Sequence, residues 1–149
     1  MKLEDEIKQT RFESGGQKAV INVIFTANWI NSQFRNIFKT YDLTLQQYNV
    51  LRILRGKYPK SANPGEIKEV MLDKNPDLTR LCDRMCNLGL ITRTVDKDNR
   101  RKMNITITQK GLDILEQATP ELNKLEKELV SISESEAYVL SDLLDKLRG

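Results

Sequence analysis

The sequence predicts a mainly α-helical chain, α+β by strict count, in which one small β-hairpin interrupts a run of helices. Three observations carry this. Apolar residues recur at spacings of three and four over most of the 149 positions, the period of helices buried along one face. The period falls to two only around the hairpin, where Ile91, Val95, Met103, Ile105 and Ile107 alternate with Thr92, Thr94, Lys102, Asn104 and Thr106. Two short helical patterns joined by a brief turn directly precede that hairpin. The arrangement is a winged helix-turn-helix with further helices before and after it.

Each element follows from local chemistry. Leu3, Ile7 and Phe12 mark a short amphipathic helix that Gly15-Gly16 is expected to end. A longer helix follows, with Val20, Val23, Ile24, Ala27, Ile30, Phe34, Ile37, Phe38 and Tyr41 on a stripe too wide for one neighbour to cover. Thr44 and Gln47 have the spacing of a capping box for the next helix. Tyr48, Leu51 and Leu54 form its core face, and Arg52 and Arg55 fall on other faces. Gly56 to Ala62 reads as a loop, with Pro59 preventing helix continuation.

Asn63-Pro64-Gly65-Glu66 reads as an N-cap, a proline at the first helical position and an acid in the first turn. That helix should end near Leu72, and Asn75-Pro76-Asp77 should repeat the same opening for a second one. The turn between them is then about three or four residues long. Leu78, Leu81, Cys82, Met85 and Leu88 share one side of the second helix, and Gly89 stands where a left-handed C-terminal cap belongs. After the hairpin, Thr108 to Gly111 leads into a helical stripe of Ile114, Leu115, Ala118, Leu122, Leu125 and Leu129, which Pro120 should kink. Ser133 and Glu136 cap a terminal helix lined by Leu140, Leu143, Leu144 and Leu147.

Composition excludes several functions. The chain has no histidine, the commonest general base and metal ligand, and shows no glycine-rich phosphate loop or nucleophile motif, so it does not read as an enzyme. Cys82 and Cys86 alone cannot fill a tetrahedral zinc site. Four residues apart on a helix, they also form a strained disulfide at best, so no cofactor is expected. Cys82 shares the apolar face with Leu81 and Met85 and reads as a core residue. No apolar run is long enough to span a bilayer, and MKLEDEIKQTRFES lacks the apolar centre of a secretion signal. A cytoplasmic chain with no membrane partner is the expectation.

Charge points to the partner. The net charge of +3 conceals an asymmetry. Residues 112–149 hold four basic and nine acidic side chains, a net of −5, which leaves +8 on residues 1–111. A basic first part with acidic terminal helices suits a nucleic-acid surface on the first part only. The second helix of the helix-turn-helix, about Asn75 to Leu88, would be the recognition helix, whose early residues reach base edges in the major groove. Asn75, Thr79, Arg80 and Arg84 are its candidate DNA-binding residues: Arg80 could read a guanine, and Thr79 a phosphate or a thymine methyl. A solvated polar face would show the same pattern.

The wing shifts the balance. Lys97, Arg100, Arg101 and Lys102 crowd four cations into six residues, which favours a polyanion opposite them. An arginine at such a tip fits the narrow minor groove. Asp98 or Asp96 could pair with Arg100 and fix its direction. Trp29, Tyr48 and Arg52 would suit a phenolic anion, but packing is the stronger reading of the two aromatic residues.

The order of elements, the string LTLQQYNVLRIL (43–54), the run LTRLCDRMCNLGLITR (78–93) and the wing DNRRKMNITITQKG (98–111) resemble the MarR family of winged-helix transcriptional regulators over nearly the whole chain. The resemblance implies a homodimer on a pseudo-palindromic double-stranded DNA operator. It makes Arg100 the minor-groove arginine, Asp98 its acidic partner, and a small anionic or phenolic molecule the effector. Residues 1–43 would then be N-terminal dimerisation helices, 44–111 the DNA-binding region with Arg101 and Lys102 on phosphates, and 112–149 C-terminal dimerisation helices. Pro64-Gly65-Glu66 and Asn75-Pro76 depart from the family's usual helix starts, and neither cysteine lies in the N-terminal region that carries the peroxide-reactive thiol of redox-sensing relatives. A winged-helix module for protein or RNA, without operator binding, is the competing reading.

Overall fold

The computed structural model describes residues 1–95 and 103–149. Its elements run α1 (Leu3–Ile7), α2 (Gly15–Thr40), α3 (Leu45–Lys57), α4 (Pro64–Val70), α5 (Leu78–Asn87), β1 (Ile91–Val95), β2 (Met103–Ile107), α6 (Gln109–Leu129) and α7 (Glu134–Arg148). This is the expected order: helices flanking a helix-turn-helix and a two-stranded hairpin.

The core forms around α3, which packs against α2, α4, α5, α6 and β2. Val50, Leu51 and Leu54 are buried on it, and each fully buried leucine contributes about 1.5–3 kcal/mol. The Phe38 ring of α2 meets Tyr48 of α3 at 4.9 Å between centroids. The expected capping box is present: Thr44 Oγ1 accepts from the Gln47 N–H, and the Gln47 side chain accepts from the Thr44 N–H at 2.8 Å. That use explains why Gln47, a polar residue, sits buried at no cost in unpaired groups.

β1 and β2 pair antiparallel with Ile91 opposite Ile107 and Val95 opposite Met103. The loop after α3 adds a bridge that the sequence did not announce: Ala62 and Ile105 exchange both backbone hydrogen bonds, at 2.9 and 2.8 Å. The middle of β2 is thereby fixed to the segment that leads into α4.

At the end of α5 the chain reverses through Gly89, with φ +71° as expected. The Gly89 N–H reaches the Cys86 carbonyl and the Leu90 N–H the Met85 carbonyl, both at 2.9 Å, satisfying the helix's last acceptors. Gly111, in the first turn of α6, lies against this corner. A Cβ there would stand 2.5 Å from the Leu90 carbonyl oxygen and 2.8 Å from Ile107 Cγ1. Thr108 completes the junction, donating to the Gly89 carbonyl at 2.7 Å and accepting from the Gly111 N–H at 3.1 Å.

Several boundaries differ from expectation. α1 ends at Ile7 with Lys8 in the left-handed region, and Gly15-Gly16 open α2 rather than closing α1. Ser14 explains this, since its hydroxyl caps the Gln17 N–H and a first turn tolerates glycine. α3 continues through Gly56 to Lys57, so the loop is shorter than Gly56–Ala62. Pro120 lies inside α6, which spans Gln109–Leu129.

The apolar stripes of the terminal helices are only partly covered. α2 and α6 pack together, and the Tyr41 hydroxyl joins them by donating to Glu121 Oε1 at 2.8 Å. α7 buries no residue: Tyr138, Val139, Leu140, Leu143 and Leu147 are exposed, as are Val20, Val23 and Ile24 of α2.

Gly111→Ala is expected to destabilise the fold by about 1–3 kcal/mol, because its methyl meets backbone that cannot give way. Denaturant unfolding checks this, and an unchanged midpoint would contradict the close approach.

Candidate nucleic-acid interface

α4, the following turn and α5 form the helix-turn-helix. α4 begins as its sequence dictates, with Asn63 Oδ1 accepting from the Glu66 N–H at 3.0 Å and the Glu66 carboxylate accepting from the Asn63 N–H at 2.7 Å. α5 does not begin at Asn75. Its N-cap is Asp77, whose Oδ1 accepts from the Arg80 N–H at 3.2 Å. Asp77, a second capping residue two positions on, takes the role with its own carboxylate. Asn75 instead belongs to the turn, its N–H donating to Asp73 Oδ1 at 2.9 Å. The turn runs from Met71 to Asp77, seven residues rather than three or four.

α5 divides its sides sharply. Leu78, Leu81, Cys82 and Met85 are buried, while Thr79, Arg80, Asp83 and Arg84 are exposed. Arg80 and Arg84, four residues apart, share one exposed stripe, and Thr79 and Asp83 share the adjoining one. Arg80 is tethered at 3.3 Å to Asp77, a contact too exposed to add much stability but able to bias the guanidinium's direction. Arg84 lies nearer the α2–α3 corner, lining a shallow hollow with Asp42, Thr44 and Gln47. Asn75, Thr79 and Arg80 therefore cluster at the opening of α5, and Arg84 stands one turn further on.

Arg93 was not among the expected site residues. Its guanidinium pairs with Asp83, joining α5 to β1. The hydrogen bond it donates to Asp83 is the main reason its pKa is raised above the usual arginine value. A signal for it existed: strand alternation puts Arg93 on the inward face with Ile91, where a cation needs a partner.

Asp98, Arg100, Arg101 and Lys102, with Lys97 and Asp96, lie outside the described residues. The strands on either side of them are in place: β1 and β2 carry the wing from the corner where α5 ends.

The expected packing of the cysteines holds for Cys82, which is buried, and burial pushes its thiol pKa up. Cys86 is half-buried, and both are free thiols. Tyr48 and Arg52 line a hollow of about 380 Å³ between α3 and α6, together with Arg55, Leu115, Thr119 and Asn123. Trp29 does not line it. Tyr48 is mostly core and shows the hollow only part of its ring. No helix among the described residues is long and apolar enough to cross a membrane.

Comparison with known proteins agrees with this geometry. Residues 43–103, from the start of the α3 corner to the first residue of β2, match the MarR family. The chain is 27% identical over 120 residues to the HTH-type transcriptional regulator PecS of Dickeya dadantii, covering 79% of this chain and 72% of that one. The crystal structure of a MarR transcription factor from Planctomyces limnophilus superimposes with a TM-score of 0.70 at 29% identity, over 92% of this chain and 95% of the other. A mutant MarR from E. coli, solved in complex with operator DNA, shares the fold with a TM-score of 0.75 at 24% identity over 99% of both chains.

Thiol labelling of the native protein is expected to modify Cys86 while sparing Cys82 until denaturant is added. Equal labelling of both thiols under native conditions would contradict the burial of Cys82.

Proposed function

With residues 43–103 a MarR-family domain, we propose that this chain is a sequence-specific double-stranded-DNA-binding transcriptional regulator, acting as a homodimer on a pseudo-palindromic operator in the cytoplasm. The observation that carries the reading is the two-sided character of α5. One side is wholly committed to the core, and the other offers Thr79, Arg80 and Arg84 to the outside. A major groove admits one helix and presents acceptors that arginine matches.

In this reading Arg80 contacts a guanine edge, Thr79 a thymine methyl or phosphate, and Asn75 and Arg84 the flanking backbone. Arg100 enters the minor groove with Asp98 directing it, and Arg101 and Lys102 meet phosphates. The Arg93–Asp83 pair holds the wing strand to the recognition helix, so the two contacts engage together.

Residues 1–43 and 112–149 supply the dimer contact. The exposed apolar side chains of α2 and α7 support this, since a second copy would cover what one chain leaves in water. A twofold axis would place the two α5 helices about 34 Å apart, one turn of DNA. The hollow between α3 and α6 carries Arg52 and Arg55 beside Tyr48 and fits a small anionic or phenolic effector. It lies where the DNA-binding region meets α6, so an occupant there would bias the spacing of the two recognition helices and release a repressor from DNA.

Arg80→Ala should cost about 1–3 kcal/mol of operator affinity and relax preference at one base pair. Arg100→Ala should instead weaken binding to every duplex and lower the slope of log affinity against log salt by about 0.9. Titration of labelled duplexes across salt concentrations separates the two. Wild-type affinity in both variants would refute the proposed interface and favour a protein- or RNA-binding module.

A further inference from the structure

The turn between α4 and α5 is held more firmly than an exposed connection requires. Asn49 Oδ1, on α3, accepts the Leu72 N–H at 3.1 Å. Gln46 Nε2, also on α3, donates to Asp73 Oδ2 at 2.6 Å, and Asp73 Oδ1 accepts the Asn75 N–H. Lys74 Nζ donates to the Glu69 carbonyl at 2.8 Å. Met71 is buried and anchors the segment from below. These contacts fix in place an apolar side chain that stands in water: Leu72 is 79% exposed.

An exposed leucine on a turn is ordinary when the turn is loose. Here its own backbone N–H and the next side chain, Asp73, are both tied to α3, so the side chain projects from a defined position. Its setting is polar and mixed in charge, with Lys68, Lys74, Asn75 and the 82% exposed Arg80 nearby in the chain beside Glu69, Asp73 and Asp77. The turn leads straight into α5, the helix that the proposed function sets against DNA, so DNA is the partner this side chain would meet. In the major groove of DNA, the one apolar group that carries sequence information is the thymine C5-methyl.

We propose that Leu72 is a specificity-determining residue that packs on a thymine methyl at the edge of the half-site, with Asn49 and the Gln46–Asp73 bond as its positioning residues. The turn opens directly into the recognition helix, so it approaches the same groove as Thr79 and Arg80. This inference rests on the DNA-binding reading above and extends it to a position outside α5.

The test uses the full chain and a duplex that it selects from a random pool. Each thymine is replaced in turn by deoxyuridine, which removes only the methyl group. Wild-type protein should lose about fourfold in affinity at one or two positions bordering the base pairs read by Arg80, the worth of one methyl at about 0.8 kcal/mol. In Leu72→Ala the loss at those positions should vanish while sensitivity elsewhere persists. Leu72→Ile should retain it. Asn49→Ala should weaken it at the same positions, whereas a general loss of stability would lower affinity for all duplexes alike. An unchanged deoxyuridine profile in Leu72→Ala overturns the proposal, as does a wild-type profile with no sensitive thymine at the border. Failure of wild-type protein to bind any duplex would instead overturn the DNA-binding reading itself, and this inference with it.

Discussion

The close approach of Gly111 to the Leu90 carbonyl is the constraint on which the rest of the molecule turns. Three elements meet there: the last turn of α5, the start of β1 and the first turn of α6. Thr108 closes the corner by bonding both Gly89 and Gly111, and Lys110 Nζ donates to the Leu88 carbonyl at 2.7 Å. α5, the hairpin and the long α6 therefore share one close-packed joint. In the proposed function, this joint is the route by which a displacement of α6 would reach α5.

Around that joint the interactions divide by strength. Burial of Leu51, Leu54, Leu81, Met85 and Leu115 supplies the stability, because apolar area removed from water dominates folding. The polar contacts at the surface add little energy and much direction. Arg93 with Asp83, Arg80 with Asp77, and Gln46 with Asp73 are each partly or largely solvated, so none is a strong stabiliser. Each limits where a side chain or backbone segment can point. Charge is sorted on the same plan, with the positive excess before Leu112 and the acidic excess after it.

Much of this was legible in the sequence wherever one residue type has one strong local preference. The capping pairs Thr44–Gln47, Asn63–Glu66 and Ser133–Glu136 and the left-handed Gly89 all occupy their expected places. The two hairpin strands followed from alternation of β-branched residues. Where two local signals competed, the sequence misled. Asn75-Pro76-Asp77 holds two possible caps, and Asp77 takes the role while Asp73 ties Asn75 into the turn. Gly15-Gly16 read as a stop, yet Ser14 made it a start. Contacts between distant segments, such as Arg93 with Asp83 or Ala62 with Ile105, depend on how the elements dock and have no local signature beyond an inward-facing cation.

The central claim is that two copies of this fold present α5 to successive major grooves of one duplex. Selection of bound sequences from a random double-stranded pool tests it most directly. The account predicts enrichment of a twofold-symmetric site whose half-site centres lie about 10 base pairs apart. Enrichment of a single asymmetric site, or no enrichment above the unselected pool, would contradict it.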